Sequence, residues 1–211
     1  MMTYRYSLLH CLFVLCYLLS PSNVAMGQDD DDGPASSSSP VLESACPNVV
    51  KRAQWGAAKS TNVTYQVKPV AIVIVHHTAG VRCTTVVSCK EVLRNIQSHH
   101  QVQNRWSDIG YNFLISTGNI YEGIGWHRKG AHLRGFNDKS IGVAFMGNFE
   151  QDRPTARSLE LLARLLQCGK ELGELAEDFR LYGARQLQST LSPGRWLYMK
   201  LKNFEQWQVE E

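Results

Sequence analysis

The chain has no run of Lys or Arg longer than two residues, and its formal charge is only +3 over 211 residues. Without a basic stretch or a basic helix face, recognition of DNA or RNA has no electrostatic footing and is set aside. No apolar run reaches the roughly 20 residues that span a bilayer. No CxxC pair occurs, so a zinc-cysteine framework is a poor reading of the cysteines. No internal repeat is visible. The length fits one domain with a substantial core plus processed ends.

At the amino end, Arg5 precedes an apolar run over residues 8–19 (LLHCLFVLCYLL), followed by Pro21, Ser22 and the small-residue pattern Ala25-Met26-Gly27. This succession predicts a secretory signal peptide over residues 1–27, cut after Gly27, in preference to a membrane anchor. The product is then secreted and extracellular. Residues 28–45 open with QDDDDGPASSSSP, acidic and Ser-rich with almost no apolar residue, and read as a disordered linker. The folded domain takes residues 46–211. Of the six cysteines, Cys11 and Cys16 leave with the signal, and Cys46, Cys83, Cys89 and Cys168 stay. In an oxidising compartment these read as two disulfides, for which three pairings exist. Cys83 and Cys89 are close enough in sequence to staple one short loop, which leaves Cys46 with Cys168. Closing so long a loop is worth roughly 4 to 5 kcal/mol in the chain-entropy picture. Asn62-Val63-Thr64 is a sequon that marks Asn62 for N-glycosylation in an exported loop.

From Cys46 onward, strand-like and helix-like segments alternate, which predicts an α/β fold. Residues 70–75 (VAIVIV) form a β-branched run suited to a central strand buried on both faces. The run ends in His76-His77-Thr78-Ala79-Gly80, at the carboxyl end of the strand, where open α/β sheets place their ligand crevices. Ser88-Cys89-Lys90-Glu91 predicts a capping box opening a helix through about Gln101, with Val92, Leu93 and Ile96 facing inward. Residues 111–116 (YNFLIS) and 119–122 predict a strand pair turning at Thr117-Gly118, and residues 140–146 another strand. The Gly-rich, aromatic and basic segment between them suits a groove wall. A long helix follows Pro154-Thr155, with Leu159, Leu162 and Leu166 on one stripe, Cys168 on it and Gly173 near its end. Ser192-Pro193 predicts an N-cap and first position for a last helix carrying Leu197, Leu201 and Phe204.

Together CPNVVKRAQWGA, VIVHHTAGVRC, DIGYNFLI, IYEGIGW with GAH, FNDKSIGVAFMGNF and TLSPG occur in this order. With these signatures the chain resembles the peptidoglycan recognition protein family, whose domain is similar to zinc N-acetylmuramoyl-L-alanine amidases of the phage-lysozyme type. The resemblance covers about Cys46 to Trp207. It implies a single domain with a central mixed, mostly parallel sheet flanked by about three helices. It also implies, in catalytic members, a zinc held by a His closing the first strand, a second His in a G-H-R motif and a Cys in T-x-C-P-G, with an assisting Tyr. Mapped here, the strand His is His76 and the Tyr is Tyr111, but the second His falls on Ala184 and the Cys on Ser192, two residues after Thr190. A catalytic zinc needs about three protein ligands and an open position, where it activates water. Alanine donates nothing and a neutral hydroxyl replaces a thiolate poorly, so no zinc or other cofactor is expected. Rebuilding a site from His77, His99, His100, His127 and His132 is disfavoured, because neighbours such as His99-His100 cannot aim both rings at one metal from a regular helix.

The resemblance then implies a receptor that binds bacterial peptidoglycan through its muramyl peptide stem. The stem-contacting positions fall on His77, Thr78, His100, Asn104, Arg105, Trp106, Tyr111, Ile124, His132, Arg134 and Asn137. These supply hydroxyl, imidazole, amide and guanidinium partners for amides and carboxylates. Binders of diaminopimelate stems tend to carry Gly-Trp at Arg105-Trp106 and an Arg at Ile124, and lysine binders Asn-Phe at the first pair. The chain matches neither cleanly, and Ile124 leans it to lysine type. By resemblance to short secreted insect members, the expected partners are other recognition proteins and serine proteases of a Toll-type immune pathway. The rival readings are a peptidoglycan hydrolase, with a rebuilt zinc site or with Ser192 or Thr190 as nucleophile, and a directly bactericidal wall-binding protein.

Overall fold

The computed structural model describes residues 46–209, so the expected signal peptide and linker lie outside the described residues. Six strands, β1 (Val49–Val50), β2 (Val70–His77), β3 (Phe113–Ile115), β4 (Ile120–Glu122), β5 (Ser140–Phe145) and β6 (Leu175–Gly183), form one sheet in the order β1-β4-β3-β5-β2-β6. Every neighbouring pair is parallel except β3 with β4. The helices are α1 (Arg52–Trp55), α2 (Val86–Ser98), α3 (Ala156–Glu171) and α4 (Arg195–Leu201). The expected architecture of a mixed, mostly parallel sheet flanked by helices is therefore present.

Side chains alternate across a strand, so β2 sends neighbours to opposite faces. Val73 and Val75 join Val143, Phe145, Leu162, Leu165 and Leu197 in the largest apolar cluster, which seats α3 and α4. On the other side Ile72 and Ile74 meet Leu133 and Ala184, while Leu93 of α2 packs with Ile109, Leu114, Ala144 and Met146. His76 continues the register of Ile72 and Ile74 and so belongs to this second side.

Disulfides join Cys46 to Cys168 and Cys83 to Cys89, the pairing left by the sequence reading. Cys168 lies on α3, whose N-cap Thr155 accepts from Ser158 N–H. Three expectations are corrected. The cap of α2 is Thr85, not Ser88: Ser88 N–H donates to Thr85 Oγ1 at 3.1 Å and Thr85 N–H to Ser88 Oγ at 3.3 Å. Starting the helix there places Cys89 inside it, facing Cys83. Ser192 is not the cap of α4, because its first amides are taken elsewhere: Arg195 N–H donates to Glu150 Oε1 and Trp196 N–H to Phe149 O. Gly194 is the cap, with φ of 89°. Finally, β6 has no counterpart in the sequence reading. Glu177, Asp178 and Arg180 are exposed on this outer strand and dilute its apolar signal.

Candidate functional site

The site is built where β2 and β6 end together. The β2–β6 ladder ends where Val75 pairs with Gly183, so the next residues, Ala184 and His76, which stays paired with Ala144 of β5, follow side by side. Ser192 is brought to the same place, its Oγ accepting from His77 N–H at 3.1 Å. His76 thus lies beside Ala184 and Ser192, both more than 100 residues later in the chain.

Beside them His76 Nε2 lies 3.1 Å from His132 Nδ1. The proton placement follows from the chain of partners. The Ser140 hydroxyl donates to Phe136 O at 2.6 Å, so towards His132 Nε2, 3.4 Å away, it can only accept. His132 therefore carries its hydrogen on Nε2, offers Nδ1 as an acceptor, and receives a hydrogen bond from His76 Nε2–H. Gly142 makes room for this ring, since a Cβ there would meet His132 Cγ at 2.4 Å. The Asn137 side chain accepts from the backbone N–H groups of His132 and Leu133 at 2.8 and 2.9 Å. Asn137 is thereby a residue that positions the histidine, while Arg134 is exposed on the same loop.

Tyr111 stands with its ring 5.5 Å from His76 and 5.7 Å from His100, and Trp106 lies 4.7 Å from His100. These rings meet because α2 does not end as a regular helix. It passes into a π-helical turn over His99–Gln103, which leaves His99 exposed, buries His100, and returns Trp106 N–H to His100 O at 2.9 Å. Such turns recur at functional sites. Asn104 closes it, and Arg105 follows in the left-handed region with φ of 57°. Two hollows open along this row. One, of about 340 Å³, is lined by Thr78, Val92, Ile96, His100 and Tyr111; the other, of about 280 Å³, by Trp106 and Ile124 with Asn62, Thr64 and Arg128. His77 is the exception among the mapped residues: its ring follows Val73 and Val75, and Nδ1 accepts from Phe149 N–H at 3.1 Å. His127 is separate too, bound to Glu174 at 2.8 Å.

Burial sets the charge of the site. It holds His100 and His132 down to about 4, lowers His76 well below the ordinary range with help from His132, and lowers His77. It pushes Tyr111 up to about 12. Near pH 7 the groove floor is therefore neutral and rich in hydrogen-bonding groups. Two supports went unassigned in the sequence, although DIGYN was among its signatures. Buried Asp108 accepts from Gln97 and from Ile109 N–H, both at 2.7 Å, and pairs with Arg52 at 2.8 Å, tying α1 and α2 to the groove end. Asn112 donates to Gly125 O and accepts from Gly142 N–H, joining three segments.

The donor set does not fit a zinc ion. Ala184 is fully buried in the cluster with Ile72, Ile74 and Leu133 and offers no lone pair. His76 Nε2 is taken up by His132 Nδ1 at 3.1 Å, and the Ser192 oxygen accepts an amide hydrogen. Among the described residues, no three His, Cys, Asp or Glu side chains gather as a metal-holding group. Among the described residues, the Ser192 hydroxyl oxygen accepts from the His77 backbone N–H.

Residues 66–195 match the family described as N-acetylmuramoyl-L-alanine amidase. Peptidoglycan-recognition protein SA of Drosophila melanogaster is 41% identical over 163 residues, covering 77% of this chain and 80% of that protein. The X-ray structure of bumblebee PGRP-SA superposes with a TM-score of 0.77 at 41% identity, over 79% of this chain and 100% of that one. Peptidoglycan recognition protein-LE, solved in complex with tracheal cytotoxin, a monomeric diaminopimelic acid-type peptidoglycan, gives 0.75 at 37% identity, over 76% and 95% of the two chains. With its sheet, its groove and its ordered signatures in place, the chain belongs to the peptidoglycan recognition protein family, on the fold of the N-acetylmuramoyl-L-alanine amidases.

Proposed function

We propose that this protein is a secreted, non-catalytic innate immune receptor that binds the muramyl peptide stem of bacterial peptidoglycan in the groove from His132 and Tyr111 to Trp106. The observation that carries this reading is Ala184: the position beside His76 is closed by a methyl group packed among Ile72, Ile74 and Leu133. The amidase chemistry loses its ligand while the groove keeps its neutral rings and hydroxyls. The structure of protein-LE with a diaminopimelic acid-type fragment supports the ligand class. His77 is left out of the proposed contact set, since its ring follows Val73 and Val75 and its Nδ1 is engaged by Phe149 N–H.

Stem preference leans to lysine type. Ile124, 6% exposed and apolar, shares a hollow with Trp106 where a diaminopimelate binder would present a guanidinium. The guanidinium that does line this hollow, Arg128, is engaged by Ile124 O, Ser60 Oγ and Asp108, which leaves Lys129 in the lining and exposed Arg105 next to Trp106 as the competing cations. A receptor that does not cut hands the signal on, and the proposed recipients are other recognition proteins and serine proteases of a Toll-type cascade.

Calorimetric titration with purified lysine-type and diaminopimelate-type muropeptides, alongside a turnover assay with and without chelator, tests this. Binding without product, tighter for the lysine form, is expected. Trp106→Ala should weaken binding by about 2 kcal/mol, the scale of a buried aromatic anchor, with the melting temperature retained. Released product would replace the receptor by a hydrolase, and growth inhibition by the pure protein would favour the bactericidal reading.

A further inference from the structure

The sequon at Asn62 is placed at the groove itself. Residues 61–66 are pinned on both sides by main-chain hydrogen bonds: Thr61 N–H to Ser107 O at 3.0 Å, Lys129 N–H to Thr64 O at 2.8 Å and Gln66 N–H to His127 O at 2.9 Å. Tyr65 adds an antiparallel bridge to Arg128. The pinned segment lines the 280 Å³ hollow together with Trp106 and Ile124. Asn62 is exposed, and its Oδ1 accepts from Val63 N–H at 2.9 Å, which engages the amide's acceptor and leaves Nδ2, the atom that carries an N-linked sugar, for modification. Trp106, in the same lining, is 36% exposed, an apolar ring face open to a neighbouring group.

We infer that an N-linked glycan on Asn62 forms part of the groove's end and acts as a size filter for the stem. This rests on the receptor reading above, in which Trp106 and Ile124 meet the third stem residue. Cross-linked peptidoglycan branches from that residue, so its branch and the glycan compete for one mouth. A monomeric stem carries no branch there and does not meet the sugar. The glycan is anchored on a pinned wall, so it cannot swing clear by moving its loop. The selectivity comes from exclusion, a repulsive element set against one of two similar ligands.

The test uses the full chain secreted from a eukaryotic host with its own leader. Intact-mass and glycopeptide analysis reads occupancy at Asn62. The glycosylated protein, the same protein after enzymatic deglycosylation, and Asn62→Gln are then titrated with a monomeric muropeptide and with its cross-linked dimer. Deglycosylation and Asn62→Gln should each raise the ratio of dimer to monomer affinity about fivefold, the scale of no longer displacing and ordering a flexible group. An unoccupied sequon, or an equal ratio with and without the sugar, overturns the inference. Thr64→Ala, which also abolishes the sequon, must reproduce Asn62→Gln, or the effect belongs to the side chain. Failure of every form to bind either ligand would overturn the receptor reading instead, and the filter with it, whatever the occupancy.

Discussion

At the scale of single residues, the groove is a set of histidines kept neutral by burial. For His100 and His132 the folded value is about 4 against an ordinary 6.5. The folded state thus resists a proton that the unfolded chain accepts. Stability from these rings is fully present above about 6.5, declines as pH falls towards about 4, and stops declining below that. Thermal melts between pH 7 and 4 should show this loss, and His100→Gln should remove its share of the slope; an identical slope in the variant would mean that His100 is not held neutral. A second expectation concerns the mapped constellation. Ala184→His together with Ser192→Cys should take up stoichiometric zinc by elemental analysis, while Ala184→His alone should destabilise by about 1–3 kcal/mol through overpacking its cluster. A double variant that folds and holds no metal would show that these positions are not a lapsed ligand pair. That Ala184 and Ser192 stand where the resemblance implies ligands was legible in the sequence, because it is a matter of residue type at motif positions. The His76-His132 hydrogen bond was not, since it joins residues 56 apart and depends on the space that Gly142 leaves.

At the scale of elements, sequence reading succeeded where one force dominates and failed where two compete. The run ending in His76 was legible as a buried strand because every position but Ala71 is buried. At α4 the Ser-Pro pair offers a cap and a first turn, but the helix begins later because Gly194 lies against the backbone of Phe149. A Cβ there would come within 2.4 Å of Phe149 C, in a backbone conformation with φ of 89°. Gly194→Ala should accordingly destabilise the protein by about 2 to 4 kcal/mol, combining strain with a shift of the 149–150 segment. Because Ser192 and the groove lie two residues away, muropeptide affinity should fall as well. Denaturant unfolding and titration of the same sample check both, and a change within 0.5 kcal/mol, the usual size for a surface substitution, would contradict the contact. The π-turn after α2 was likewise not legible: residues 99–103 continue a helical pattern, and the wider turn becomes evident only when His100 and Trp106 are seen packed together.

At the scale of the whole molecule, two bridges of unequal reach hold one sheet. Cys46–Cys168 spans 122 residues and Cys83–Cys89 spans 6. By loop entropy, the Cys46→Ser/Cys168→Ser pair should lower unfolding free energy by up to about 4 to 5 kcal/mol, and the Cys83→Ser/Cys89→Ser pair by about 2. The second should also loosen the segment from Thr78 to Val86 beside the 340 Å³ hollow and weaken ligand binding more than its stability loss suggests. Urea unfolding with parallel titration distinguishes the two; equal losses would refute the loop-length account. The fold class was legible because alternating elements leave few arrangements, whereas the neighbours of each strand were settled only by tertiary packing. One such neighbour has a practical consequence. The outer strand β6 is shielded at Leu181, which donates its N–H to Gln206 O and accepts from Gln208 N–H. A protease that clips the tail after Phe204 would bare those amides to a sister molecule. An ageing preparation would then coarsen into larger particles by light scattering while each copy still captured its ligand.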